Sequence, residues 1–115
     1  MYEYTGTVKR VIDGDTVELM IDLGFHTHTL QTVRIAGIDA PEMKTPEGKL
    51  AKKYLQSLLP LGTLVKTVTE KPNSTEKYGR YLARIVRAYA YPQDEIGPIM
   101  IAAGHAKPYD GGART

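Results

Sequence analysis

Along the first dozen residues apolar and polar positions alternate. Tyr2, Tyr4, Val8 and Ile12 fall on one parity and Glu3, Thr5, Thr7 and Lys9 on the other, which predicts a half-buried strand. After "DGD" the alternation resumes in "TVELMID", with Val17, Leu19 and Ile21 facing one way and Thr16, Glu18 and Asp22 the other. Two strands around Asp-Gly predict a tight hairpin, in which glycine supplies a positive φ. "LGFHTH" connects to a third strand, from about Thr29 to Ala36. The period then changes. Leu50, Ala51, Tyr54, Leu55, Leu58 and Leu59 form one stripe, with Lys49, Lys52, Lys53 and Gln56 facing away, as in an amphipathic helix. Thr45 suits its N-cap, Pro46 its first position and Glu47 the positive end of its dipole, and Pro60 and Gly62 close it. "TLVKTVT" predicts a fourth strand, "EKPNSTEKYGR" a polar loop, and "YLARIVRAYA" a fifth strand. "PIMIAA", bounded by Pro98 and Gly104, fits a short helix. Residues 110–115, at the Gly-rich end, are expected to fray. A mainly β chain with a helix between its third and fourth strands, and a short helix after the fifth, matches the five-stranded Greek-key barrel called the OB-fold.

Length and composition narrow this little further. The 115 residues and 12.7 kDa suit one domain over residues 1–115. With 42% hydrophobic and 24% charged residues the chain has the balance of a globular protein. It has no cysteine, so a metal would need oxygen or imidazole ligands. No apolar run is long enough to span a bilayer, so no membrane role is expected. No signal peptide is visible, which favours an intracellular location unless the chain is a mature form. A net charge of +2 says little by itself about nucleic acid.

The charged residues around the breaks in the pattern are more informative. Asp15 lies at the first hairpin. Asp39 and Glu42 flank Pro41 where the third strand ends, with Arg34 just upstream. Carboxylates gathered in one place repel unless a positive charge lies between them, and oxygen-only ligands suit calcium or magnesium. Arg34 leaves the face that Val33 and Ile35 bury, and Arg80 sits where the polar loop becomes a strand. A guanidinium offers phosphate two parallel donors at any pH. A cation, two arginines and a carboxylate beside a water are what phosphodiester hydrolysis requires. Each residue also has an ordinary reading. Asp13-Gly14-Asp15 is a turn, Asp39 and Glu42 suit a solvated turn, and Arg34 and Arg80 suit surface ion pairs. His26, His28 and His105 have no ligand spacing and read as loop or surface residues.

The set is more specific than its parts. "IDGDTV", "VRIAGIDAPE" and "EKYGR", in that order and with these elements between them, resemble the staphylococcal nuclease (thermonuclease) family over about residues 5–109. The resemblance implies an OB-fold with a calcium-dependent nuclease site. It assigns Asp15, Asp39 and the Ala40 backbone carbonyl to calcium, and Arg34 and Arg80 to the phosphate and transition state. Glu42 would orient or deprotonate the attacking water, and Asp13 would support the ligands from behind. Lys77, Tyr78 and Tyr109 would hold the terminal phosphate and the base.

The sequence departs from that family in three places. The mobile loop after "APE" shrinks to about "MKT", the loop around His26 and His28 looks longer, and the further long helix after "KPYDGG" is missing. A smaller fraction of buried surface and a thinner floor to the base pocket are the expected consequences. Nothing in the sequence indicates an oligomer, although one could supply cover. The expected activity is calcium-dependent hydrolysis of DNA and RNA with little sequence preference. Single strands should be preferred and 3′-phosphate ends left. The alternatives are a non-catalytic OB-fold module that binds nucleic acid or protein, and a structural calcium-binding domain, which would leave Arg34 and Arg80 without a purpose.

Overall fold

Strand β1 (Tyr2–Asp13) turns through Gly14-Asp15 into β2 (Thr16–Gly24), and β2 turns through Phe25-His26 into β3 (Thr27–Ile35). These elements belong to a computed structural model that describes residues 2–69, 80–87 and 94–109. The remaining elements are β4 (Ile38–Asp39), α1 (Pro46–Leu58), β5 (Leu64–Thr69), β6 (Tyr81–Arg87), β7 (Asp94–Glu95), α2 (Ile96–Ala102) and β8 (Lys107–Pro108). The strands run in the order β3-β2-β1-β5-β6-β7, and a parallel pairing of β3 with β6 closes the first five into a barrel. This is the expected OB-fold, with α1 between the third and fourth barrel strands. Val8, Leu19, Ile35, Val65 and Ile85, one from each barrel strand, are fully buried in its core.

Several sequence expectations need correction. Val8 faces inward as expected, but Val11 rather than Ile12 is the next core residue of β1. The pairing with β2 shifts register between Val8 and Arg10. A bulged residue adds one position to the strand and reverses the parity beyond it. The connection around His26 is no long loop. Phe25 and His26 both take positive φ, 53° and 58°, as the two-residue turns favoured in hairpins do, and the extra residues lengthen the strands. Gly14, by contrast, has no positive φ, so the Asp-Gly hairpin uses glycine for space. The predicted fifth strand is described only to Arg87. Its last three residues and the 110–115 tail lie outside the described residues.

Helix α1 begins as expected, with Thr45 Oγ1 accepting from the Gly48 amide and Pro46 in the first turn. Its buried stripe is Gly48, Ala51, Leu55 and the following Leu59. Tyr54 and Leu58 pack partly against the core. Leu50, expected in that stripe, is 57% exposed. The smallest side chains set the helix's rotation. A Cβ on Gly48 would lie 1.9 Å from the Glu42 carbonyl oxygen, and one on Gly14 would lie 2.8 Å from the Ala51 Cβ. The helix presses its Gly48-Ala51 face onto the turns around it, which swings Leu50 outward.

Helix α2 buries Ile96, Gly97 and Met100. It ends with Gly104 at φ 80°, Gly104 N–H on the Ile101 carbonyl and His105 N–H on the Met100 carbonyl, which is a Schellman stop. His105 is not a bare surface residue, since its ring lies 4.7 Å from that of Tyr54. Beyond it β8 pairs with β4, Asp39 opposite Lys107, and the Tyr109 amide donates to the Gly37 carbonyl at 3.0 Å. No helix of the described residues is long and apolar enough to cross a membrane.

Candidate active site

Asp15 is the centre of the site because the hairpin that carries it is driven into the rest of the fold. A Cβ on Gly14 would approach the Ala40 Cβ to 2.7 Å, so only glycine lets the β1–β2 turn reach the segment after β4. The contact is then locked by hydrogen bonds. Asp15 Oδ2 accepts from the Ala40 amide at 2.9 Å, Asp15 Oδ1 accepts from Thr16 Oγ1 at 3.0 Å, and the Asp15 carbonyl accepts from the Ile35 amide at 2.8 Å. Asp13 Oδ1 accepts from the Asp15 amide at 3.0 Å and shapes the turn from behind. Burial, and then the hydrogen-bonded Asp15 carboxyl, raises the Asp13 pKa above its ordinary value.

Arg34 joins the two acids. It leaves β3 on the face opposite to its neighbours Val33 and Ile35, as its parity predicts. Its Nη2 lies 3.5 Å from Asp15 Oδ2 and 3.2 Å from Asp39 Oδ1. The three side chains are only 10%, 10% and 12% exposed. Part of that cover is the Tyr109 ring, whose centroid lies 5.2 Å from the guanidinium carbon, within cation–π range. Both acid contacts fall on Nη2, which leaves the outer donors of the fork for a ligand.

Arg80 enters from the start of β6. Its Nη1 donates to Thr16 Oγ1 at 3.3 Å, and the Thr16 hydroxyl in turn donates a hydrogen bond to Asp15 Oδ1. Thr16 is almost completely buried and faces Arg34 across the β2–β3 register. It joins the second arginine to the first acid. In the sequence Thr16 is one polar residue on the outward face of β2, with nothing in the alternation to mark it as a site residue. The available signal was its place between the turn acid and a buried valine, where a strand hydroxyl must find partners.

Of the residues singled out in the sequence, Asp13, Asp15, Arg34, Asp39, Ala40, Arg80 and Tyr109 converge at this end of the barrel. Glu42 is near them in sequence, but its carboxylate is 72% exposed and lies 3.2 Å from Lys44 Nζ. Its carbonyl accepts from the Thr45 amide and hydroxyl, at 3.0 and 2.6 Å, which fixes its backbone at the start of α1. Lys77 and Tyr78 lie outside the described residues. Among the described residues no three acids and histidines cluster as a closed metal cage. The two nearly buried carboxylates share one guanidinium nitrogen and offer oxygen donors only. Such a set fits a hard cation whose remaining positions are filled by water or substrate.

Comparison with known proteins shows the family. Residues 32–114 match the family described as "Staphylococcal nuclease homologue". An "Uncharacterized endonuclease" of Escherichia coli O157:H7 is 33% identical over 105 residues, 91% of this chain and 61% of that protein. A "Micrococcal nuclease" of Shigella flexneri is 30% identical over 112 residues, 93% of this chain and 59% of that protein. "Endonuclease YhcR" of Bacillus subtilis is 34% identical over 95 residues, 73% of this chain but 7% of its own length. The chain thus spans about six-tenths of the length of the first two relatives.

Proposed function

Because the chain belongs to the staphylococcal nuclease family, we propose that it is a calcium-dependent nuclease hydrolysing phosphodiester bonds of DNA and RNA with little sequence preference. The observation that carries this reading is the shared Arg34 guanidinium between two nearly buried acids, with Arg80 tied through Thr16 to one of them. A structural cation site has no use for two arginines. A phosphate site uses both, because each planar fork can hold two oxygens.

Asp15, Asp39 and the Ala40 carbonyl would hold the cation. A bound calcium ion would supply charge neutralisation at the phosphate and a more acidic water. The chain's own groups do the rest. Arg34 and Arg80 donate to the non-bridging phosphate oxygens and gain strength as charge accumulates there in the transition state. Glu42, exposed on a fixed backbone beside Lys44, accepts or directs the proton of the attacking water. Breaking the bond on the 5′ side of the phosphorus leaves a 3′-phosphate on one product and a 5′-hydroxyl on the other. Lys77, Tyr78 and Tyr109 hold the terminal phosphate and base. Single strands are preferred, since a groove with aromatic faces stacks unpaired bases.

The test is digestion of plasmid and of a single-stranded oligonucleotide with calcium, then with chelator. Cleavage that chelator abolishes is expected. Calorimetry should show strong loss of calcium binding in Asp15→Ala and Asp39→Ala, and unchanged affinity in both would remove the metal assignment. Binding of the strand without any cleavage would replace the nuclease with a binding module.

A further inference from the structure

Thr16 and the two arginines belong to three neighbouring strands. Thr16 pairs with Arg34 where β2 meets β3, and Arg34 pairs with Leu82 where β3 meets β6. Arg80 lies two positions before Leu82 and so continues its side of the strand. Thr16, Arg34 and Arg80 therefore share the outer face of the barrel, while their neighbours Val17 and Val33 are buried in the core and Tyr81 packs against it.

An outward strand position is ordinarily open to water, yet Thr16 is 1% exposed. Its hydroxyl has to be satisfied by protein groups. Arg80 Nη1 lies 3.3 Å from its oxygen, and Asp15 Oδ1 lies 3.0 Å from it. A guanidinium can only donate. The hydroxyl oxygen must therefore accept from Arg80, which leaves its single proton for Asp15, and both bonds have a fixed direction.

The Asp15 end of this chain of bonds is anchored. Asp15 Oδ2 accepts from the Ala40 amide at 2.9 Å and meets Arg34 Nη2 at 3.5 Å, and the Asp15 carbonyl accepts from the Ile35 amide at 2.8 Å. The Arg80 end is a long side chain at the start of β6. An arginine that is not held samples many rotamers, whereas a donor that serves a transition state must already be in place. Two acids grip Arg34 directly. Arg80 is tied to Asp15 by way of a hydroxyl.

We infer that Thr16 is a positioning residue, which aligns the Arg80 fork with Asp15 so that both meet the phosphate in register. The inference rests on the nuclease reading above and adds a neutral residue to a site otherwise built from charge. Thr16→Val keeps the shape and removes the hydroxyl, and Thr16→Ser keeps the hydroxyl and removes a methyl. The link itself is read without cation or substrate, by NMR of the arginine side chains in the whole chain. The Arg80 guanidinium should rotate slowly in wild type and in Thr16→Ser, and freely in Thr16→Val. On a single-stranded oligonucleotide at saturating calcium, Thr16→Val should lose kcat by about 10–100-fold, as removal of a residue that orients a working group does. Thr16→Ser should recover most of that loss. KM, and calcium affinity by calorimetry, should change by far less than kcat, because Asp15 keeps the Ala40 amide and Arg34. Beside Arg80→Ala, Thr16→Val should cost little more, since residues that act as a unit are not additive. A packing role would instead lower turnover in both backgrounds. Wild-type kcat in Thr16→Val, or a loss repeated in full beside Arg80→Ala, overturns the inference. So does a fall in calcium affinity as large as the fall in kcat, which would place the role on Asp15 alone. Should Thr16→Val fail to fold, a freely rotating Arg80 in wild type or in Thr16→Ser still overturns it. If the wild type cuts no strand, the nuclease reading falls instead, and the rotation measurement decides by itself whether Thr16 holds Arg80.

Discussion

At the scale of single residues, absent side chains build the site as much as the charged ones. Gly48 lies within α1, where alanine normally exceeds glycine by about 0.8–1.0 kcal/mol. Here a Cβ would sit 1.9 Å from a backbone oxygen of Glu42 and 2.9 Å from that of Pro41. Neither atom can rotate aside, so the steric term, typically about 1–3 kcal/mol for overpacking, exceeds the propensity gain. Gly48→Ala is therefore expected to lower Tm, and a thermal melt at or above wild type would contradict the close approach. Asp15, Arg34, Asp39 and Arg80 were legible in the sequence because charge gathered at strand ends lacks a packing reason. Thr16 was not, because a strand threonine has an ordinary one. Gly14 matters for a property other than the one its turn suggests. An Asp-Gly turn suggests positive φ, whereas the space left for Ala40 and Ala51 depends on segments 26 and 37 residues farther along.

At the scale of elements, periodicity located the helix and its cap but not its rotation. The stripe placed Leu50 and Leu55 on the same face, yet Leu55 is fully buried and Leu50 is mostly exposed. Leu55→Ala should cost about 2–5 kcal/mol, as deletions in packed cores do, and Leu50→Ala should stay within about 0.5 kcal/mol. Chemical denaturation of the two variants separates them, and equal losses would mean that the helix sits differently. Pattern also failed at the β1 bulge, since a single inserted residue inverts every parity after it. In the β2–β3 turn two bulky residues hold a left-handed backbone, which costs L-residues roughly 1–2 kcal/mol each. Phe25 is fully exposed, so replacing Phe25-His26 by Asn-Gly removes strain and no packing. That double variant should melt higher than wild type, and an unchanged or lower Tm would show that the turn is not strained.

At the scale of the whole molecule, the barrel was readable because five strands and one helix each carry a period. The short β4 and β8 were not, since two residues have no period, and their pairing is what lays Tyr109 over Arg34. The site therefore draws on β2, β3, β4, β6 and the segment after β8, and its chemistry belongs to the closed fold. If the arginines and Glu42 act on the transition state, their loss should reduce turnover more than binding. Removing one preorganised donor typically costs about 2.7–4 kcal/mol, or on the order of a hundred- to a thousandfold in kcat. Lysine should not rescue either arginine, because a point charge has no fork to span two phosphate oxygens. Glu42→Gln keeps the shape and removes the proton acceptor, and because that side chain is exposed the change removes no core packing. The measurement is kcat on a single-stranded oligonucleotide with calcium, beside affinity for the same strand without turnover. Arg34→Lys, Arg80→Lys and Glu42→Gln should each lose kcat by far more than affinity. Wild-type turnover in all three would mean that the acids and arginines form an ion-pair network that holds the barrel end together, with no part in hydrolysis.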